Sequence, residues 1–128
     1  MKVLLDTHAF LWLITGDKRL SRKARTTFLK KENRIFLSAV SLWEICIKLS
    51  LDKLSLKEGW IGIIQQQMKD NSIDWLPIEM RHCIELVNLP FHHRDPFDRM
   101  LISQAMVEKM QILTRDTRFT DYPIQRVW

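Results

Sequence analysis

Five acidic residues are candidates for chemistry, and for Asp6 packing alone is a poor explanation. Asp6 follows the apolar run Val3-Leu4-Leu5, and Asp116 follows Ile112-Leu113-Thr114. If each run is a buried strand, both carboxylates sit at strand carboxyl ends, where open α/β sheets place their ligands. Asp95 and Asp98 flank Pro96-Phe97, a spacing that directs both side chains to one place at a helix start. Glu44 lies in an apolar helical pattern, in Ser41-Leu42-Trp43-Glu44. Carboxylates that converge in one pocket raise each other's proton affinity unless a cation neutralises them. Oxygen-only ligands select a hard divalent cation, Mg²⁺ with Mn²⁺ as its substitute. Such a cation lowers the pKa of water, polarises a phosphate and neutralises developing charge, which are the needs of phosphodiester hydrolysis.

Four of the five acids also have a structural explanation. Asp6 or Thr7 can cap the helix that follows. Ser41-x-x-Glu44 fits a capping box. Asp95 before Pro96, with Asp98 three residues on, fits a helix N-cap and a carboxylate near the helix dipole. What lifts the set above capping is repetition, because two separate apolar runs deliver an acid at the same end of a sheet.

The elements that must position these acids alternate along the chain. Val3–Leu5 reads as a strand, and Thr7–Ile14 as a strongly apolar helix ended by Gly16-Asp17. An amphipathic helix runs from Ser21, a short strand covers Arg34–Leu37, and a helical pattern returns over Ser38–Leu51. A helix from Leu56 or Lys57 to Lys69 carries Gly59 and Gly62 in its first turns. Ile73–Leu76 is a strand closed by Pro77, Glu79–Val87 a short helix, and Asp95-Pro96 opens a clear helix through Met100, Leu101 and Ala105. Gln111–Thr114 is a further strand, and Pro123–Trp128 a fifth at the edge. Strands alternating with helices predict one three-layer α/β/α domain over residues 1–128, with a parallel sheet of four to five strands.

The bulk composition agrees with that architecture. The chain has 128 residues, 46% hydrophobic and 27% charged, which supplies one core. Its longest apolar run, Ala9–Ile14, is far short of the roughly 20 residues of a membrane span. Met1-Lys2 leads directly into the first strand, so a cytoplasmic protein is expected. Twenty Lys and Arg against 15 Asp and Glu leave a net charge of +5, which favours a polyanionic partner. Cys46 and Cys83 lack metal-ligand spacing and read as reduced core residues.

Four motifs in order resemble the PIN-domain ribonucleases, and within them the VapC-type toxins of bacterial toxin–antitoxin pairs. They are Leu4–Trp12, Ser38–Ile45, His93–Ile102 and Leu113–Asp116. The resemblance implies a PIN fold and a Mg²⁺-dependent endoribonuclease. It places the acidic set on Asp6, Glu44, Asp98 and Asp116, with Asp95 adjacent as a further ligand, a supporting acid or only a cap. Thr7 and Thr114 stand beside matched acids and could orient a ligand or water. Relatives of this kind imply an RNA substrate, a homodimer and an antitoxin with an acidic tail. Ser103, where many relatives carry a small apolar residue, and Asp52, in a turn that is often Gly, are departures outside the acidic set.

Other features have plainer readings. Lys18, Arg19, Arg22, Lys23 and Arg25 could guide RNA through phosphates, but a solvated face is the default. His92, His93 and Arg94 precede the acidic helix and could touch substrate. His8, on an apolar helix, reads as a core histidine, and Trp12 and Trp43 as core or dimer packing. The competing functional class is a catalytically inactive PIN-like module that binds RNA or protein. A receiver-type phosphorylation switch ranks last, because no lysine follows a late strand.

Overall fold

In the computed structural model, which describes residues Met1–Trp128, strands and helices alternate from end to end. The order is β1 (Lys2–Leu5), α1 (Thr7–Thr15), α2 (Arg22–Leu29), β2 (Arg34–Ser38), α3 (Ala39–Ser50) and α4 (Trp60–Asp70). Then come β3 (Ile73–Leu76), α5 (Met80–Val87), α6 (Pro96–Glu108), β4 (Gln111–Leu113), a 3-10 turn at Thr117–Asp121, and β5 (Arg126–Val127). All five strands are parallel, in the order β3-β2-β1-β4-β5.

The register explains how the acids meet. Leu5 pairs with Leu37 of β2 on one side and Leu113 of β4 on the other. The next residues, Asp6, Ser38 and Thr114, therefore share one edge of the sheet. The central strand is buried on both faces, which is why it reads as an unbroken apolar run. Val3, Leu5, Ile35, Leu37 and Leu113 pack with Phe10, Ala24, Ile45 and Ile64 from α1 to α4. Leu4, Phe36, Leu76 and Ile112 pack on the opposite face with Leu101, Ile102 and Ala105 of α6. Each such aliphatic side chain removed from water contributes about 1.5–3 kcal/mol, so the sheet edge is a stiff platform.

Local chemistry sets the helix ends. The Ser21 hydroxyl accepts the Ala24 N–H at 3.0 Å to start α2, and Gly16, at φ 66°, closes α1 in a left-handed cap. Gly59, at φ 78°, sits just before α4 and delays that helix to Trp60, later than its apolar periodicity implies. Asp52 adopts φ 55°, which accounts for glycine's suitability at that turn. No helix is long and apolar enough to cross a membrane.

Three expectations change. Ser38, not Ser41, caps α3, accepting the Val40 N–H at 3.0 Å, so Ser41 and Glu44 lie inside the helix and form no capping box. Cys46 and Cys83 are exposed rather than core residues. The buried face of α3 runs through Val40, Ser41, Glu44 and Ile45, and α5 buries His82 while its apolar side looks outward. The 3-10 turn after Asp116 carries no apolar period long enough to reveal it, and the last strand is only two residues long.

Candidate active site

The site is built on the sheet edge. Asp6 directly follows β1, is 6% exposed, and caps α1 as expected, with Oδ1 accepting the Ala9 N–H at 2.7 Å. Its second oxygen accepts the Thr114 hydroxyl at 2.5 Å. Burial raises its pKa, an effect opposed by the Thr114 and Ala9 bonds and by nearby His8 and reinforced by Glu44. Capping and site membership are thus not alternatives here, since one oxygen serves the helix and the other faces β4.

Glu44 is 5% exposed and reaches the site from α3. Oε1 accepts the Thr7 hydroxyl at 2.7 Å, and Oε2 lies 2.8 Å from Lys48 Nζ, one helical turn on. Ser41 Oγ is 3.0 Å from the same Thr7 hydroxyl. This buried carboxylate has no capping duty, and its two oxygens are held by Thr7 and Lys48.

From α6 comes Asp98, whose backbone N–H is accepted by Asp95 Oδ1 at 2.9 Å. Asp95 is therefore the N-cap. Asp98 is half-buried, and its pKa is pushed up to about 8 by burial first, then by the charges of Asp95, Asp6, Glu44 and Asp116. Asp116 behaves oppositely. Burial raises it, but the Arg118 side chain and backbone N–H, together with His93, hold it down at about 2.

His93 links the two. Its ring is buried, with Nε2 2.9 Å from Asp116 Oδ2 and 3.1 Å from Asp98 Oδ2. Nδ1 accepts the Asp95 N–H at 3.2 Å, which places the ring proton on Nε2, where it is donated to Asp116. Ligand atoms of His93, Asp98 and Asp116 all lie within 4.8 Å of one another. The loop that delivers His93 is pinned: buried Arg99 donates to the carbonyls of Leu89, Pro90 and His93, and the Tyr122 hydroxyl accepts the His93 N–H at 2.9 Å.

The predicted acids thus gather around one place, with Asp98 and Asp116 in the tightest group and Asp6 and Glu44 in electrostatic reach behind them. Thr7 and Thr114 each hold a carboxylate. The donor set fits a hard divalent cation: four carboxylates lie within electrostatic reach of one another, and burial together with the neighbouring acids raises Asp98 toward its neutral form. His93 is not free to ligate as arranged, because its cavity-side nitrogen carries the proton.

Sequence reasoning offered His93 only as a substrate contact and left Lys48 and Arg118 without a role. His93 could not be told from its neighbour His92, which is exposed and packs edge-on against Tyr122. Lys48 had a usable signal, four residues after Glu44. Arg118, two residues after Asp116, had none. His8 is exposed beside the acids and is not a core histidine, because the buried side of α1 is formed by Thr7, Ala9 and Phe10. Trp12 is partly buried against the core, whereas Trp43 is exposed and meets Phe97 edge-on. Ser103 is buried and donates to the His82 carbonyl at 2.5 Å, a polar substitute for packing.

Solved structures share this fold. VapBC2 from Rickettsia felis bound to a DNA fragment from their promoter aligns with a TM-score of 0.76 at 16% identity, covering 98% of this chain and 97% of that one. VapBC-1 from nontypeable Haemophilus influenzae gives 0.67 at 18%, covering 98% and 96%. FitAcB from Neisseria gonorrhoeae gives 0.62 at 18%, covering 97% and 95%. No curated protein matches in sequence. The family model for the PIN domain matches residues 3–125, nearly the whole α/β unit and every acid of the site, and the chain belongs to the PIN-domain family.

Proposed function

We propose that this protein is a divalent-metal-dependent endoribonuclease, the toxin of a toxin–antitoxin pair. The observation that carries the reading is the electrostatic crowding of the acids, in which the charges of Asp95, Asp6, Glu44 and Asp116 add to burial in raising Asp98 to about 8. Asp6, Glu44, Asp98 and Asp116 would hold Mg²⁺, or Mn²⁺ in its place, with Asp95 positioning Asp98 through its backbone. The cation would supply Lewis acidity, an activated water and charge neutralisation at the phosphate. Thr7 and Thr114 keep Glu44 and Asp6 in fixed rotamers, and His93 orients Asp116. That preorganisation is the chain's own contribution to rate.

Two partners follow in the same reading. The solved toxin–antitoxin complexes that share the fold support an antitoxin, and an apolar cleft of about 440 Å³ lined by Ile14, Leu56, Trp60, Ile63 and Ile64 suits an inserted helix from it. Met80, Ile84, Val87 and Phe91 form an exposed apolar stripe along and just beyond α5, which suits a second copy of the chain.

The test is cleavage of total bacterial RNA by the purified protein, with Mg²⁺, Mn²⁺ or chelator, beside Asp6→Asn. Discrete fragments that need the cation and disappear in the variant are expected. Cleavage at the wild-type rate by Asp6→Asn would sink the reading.

One observation favours a second reading, an inactive module that binds RNA or protein. Asp116 receives four N–H donors, from Arg118 N, Nε and Nη2 and from His93 Nε2, leaving it no open lone pair. RNA retained without turnover under every divalent cation would select this alternative.

A further inference from the structure

Beside the acids lies an open cleft of about 290 Å³, lined by Asp6, His8, Trp12, Arg19, Arg115 and Asp116. One wall is the acidic pocket, and the other is basic and aromatic. We propose that this second wall is a subsite for one unpaired nucleotide of the RNA strand next to the scissile phosphate, with Arg19 and Arg115 on its phosphate and His8 and Trp12 against its base. The inference rests on the nuclease reading and extends it.

Arg19 is the strongest argument. Its Nε and Nη2 form a two-pronged pair with Asp17, at 3.1 and 2.8 Å, and its guanidinium lies 4.8 Å from the centre of the Trp12 ring. Two of the five guanidinium donors are used by Asp17, three remain, and Arg19 lines the cleft. An arginine fixed on one edge and open on the other is prepared for a bidentate contact with phosphate. The pairing also separates Arg19 from Arg22, Lys23 and Arg25, which lie on the exposed side of α2.

The aromatic part is equally placed. His8 is exposed, and its ring centre is 5.8 Å from that of Trp12, which in turn meets Trp128 edge-on at 5.7 Å. This imidazole–indole surface adjoins Asp6, whose charge His8 already influences. A base stacks on such a surface only when it is splayed out of a helix, and stacking tolerates any base. The volume accommodates one residue of ligand rather than a duplex, being at the lower end of ligand pockets. An acidic peptide suits the cleft less well, because its carboxylates would face Asp6 and Asp116.

The experiment uses the full chain and a fluorescein-labelled, unstructured RNA of about a dozen nucleotides. Binding is read by anisotropy in chelator, and kcat and KM by cleavage in Mg²⁺. Arg19→Ala and Arg115→Ala should each weaken binding about five- to tenfold, raise KM with kcat preserved, and lower the salt slope by about 0.7. Asp17→Asn should raise KM by less, and His8→Ala should weaken binding severalfold at high salt as well as low. Lys23→Ala serves as the surface control and should match wild type. Equal losses from Lys23→Ala, unaltered KM in both arginine variants, or stronger competition by polyglutamate than by unlabelled RNA would each overturn the subsite. Variant-specific loss of binding with no turnover in any protein would support the subsite and remove the nuclease reading. Turnover with unchanged KM would do the reverse.

Discussion

Thr114 and Asp6, 108 positions apart, share a hydrogen bond of 2.5 Å in which the threonine hydroxyl donates to the buried carboxylate. The same hydroxyl accepts the Asp116 N–H at 3.1 Å. One oxygen atom therefore fixes the spacing between the acid after the first strand and the acid after the fourth. Thr114→Val keeps the shape and removes the donor, leaving a buried carboxylate oxygen unsatisfied. A stability loss of about 1–3 kcal/mol is expected in urea denaturation. Mg²⁺ affinity should fall about 10- to 100-fold, as for other changes to groups that orient metal ligands. Unchanged stability and affinity would show that the backbone alone sets the spacing.

The pH dependence of the metal-free protein should reflect Asp98. Its folded pKa, about 8, lies above its ordinary value near 4, so the folded state holds an extra proton between those limits. The stabilisation is fully present below about pH 4 and is lost as pH rises through about 8. Thermal melts in chelator should show Tm falling across that window, and Asp98→Asn should flatten the fall. Added Mg²⁺ should restore more stability at the alkaline end, where the carboxylate is ionised. A Tm that rises with pH in chelator would count against the crowded-acid account.

Arg118 competes for the group a cation would use. Its backbone N–H and fork occupy both oxygens of Asp116, with Nη2 at 3.0 Å from Oδ2. Arg118→Ala should return the Asp116 pKa toward the ordinary range and tighten Mg²⁺ binding several-fold in a melt-based titration. Weaker binding in that variant would mean that the arginine aims the carboxylate instead of covering it.

The outward face of α5 gives a test of assembly. Val87 is 83% exposed and lies on the stripe shared with Met80 and Ile84. Val87→Glu should change a dimer to a monomer in light scattering with no loss of thermal stability at low protein concentration. A wild-type chain that is already monomeric at tens of micromolar would leave this face to another partner.

Much of this arrangement was legible in the sequence because strand runs buried on both faces write themselves as unbroken apolar segments, with Asp6 directly after the first and Asp116 three residues beyond the end of β4. Glu44 could not be settled in the same way. Ser38 and Ser41 both precede helix-compatible residues, and only the register of β2 with β3, where Ser38 pairs with Leu76, shows that the strand continues to Ser38. Cys83 and His8 misled for a shared reason: a helical apolar period reports which residues share a face, not whether that face meets the core, solvent or a cleft. The role of His93 depends on tertiary contacts from Arg99 and Tyr122, which no local pattern encodes.

The central position of β1 also bears on when the acidic cluster can assemble during synthesis. Asp6 is among the first residues translated, yet its backbone N–H is accepted by Leu113, and the Thr114 N–H is accepted by Val127. A ribosome-bound chain carries Asp6 and Glu44 long before the strand that brings Asp116 exists. Strand order thus acts as a delay, and an interrupted translation product carries only part of the acidic set.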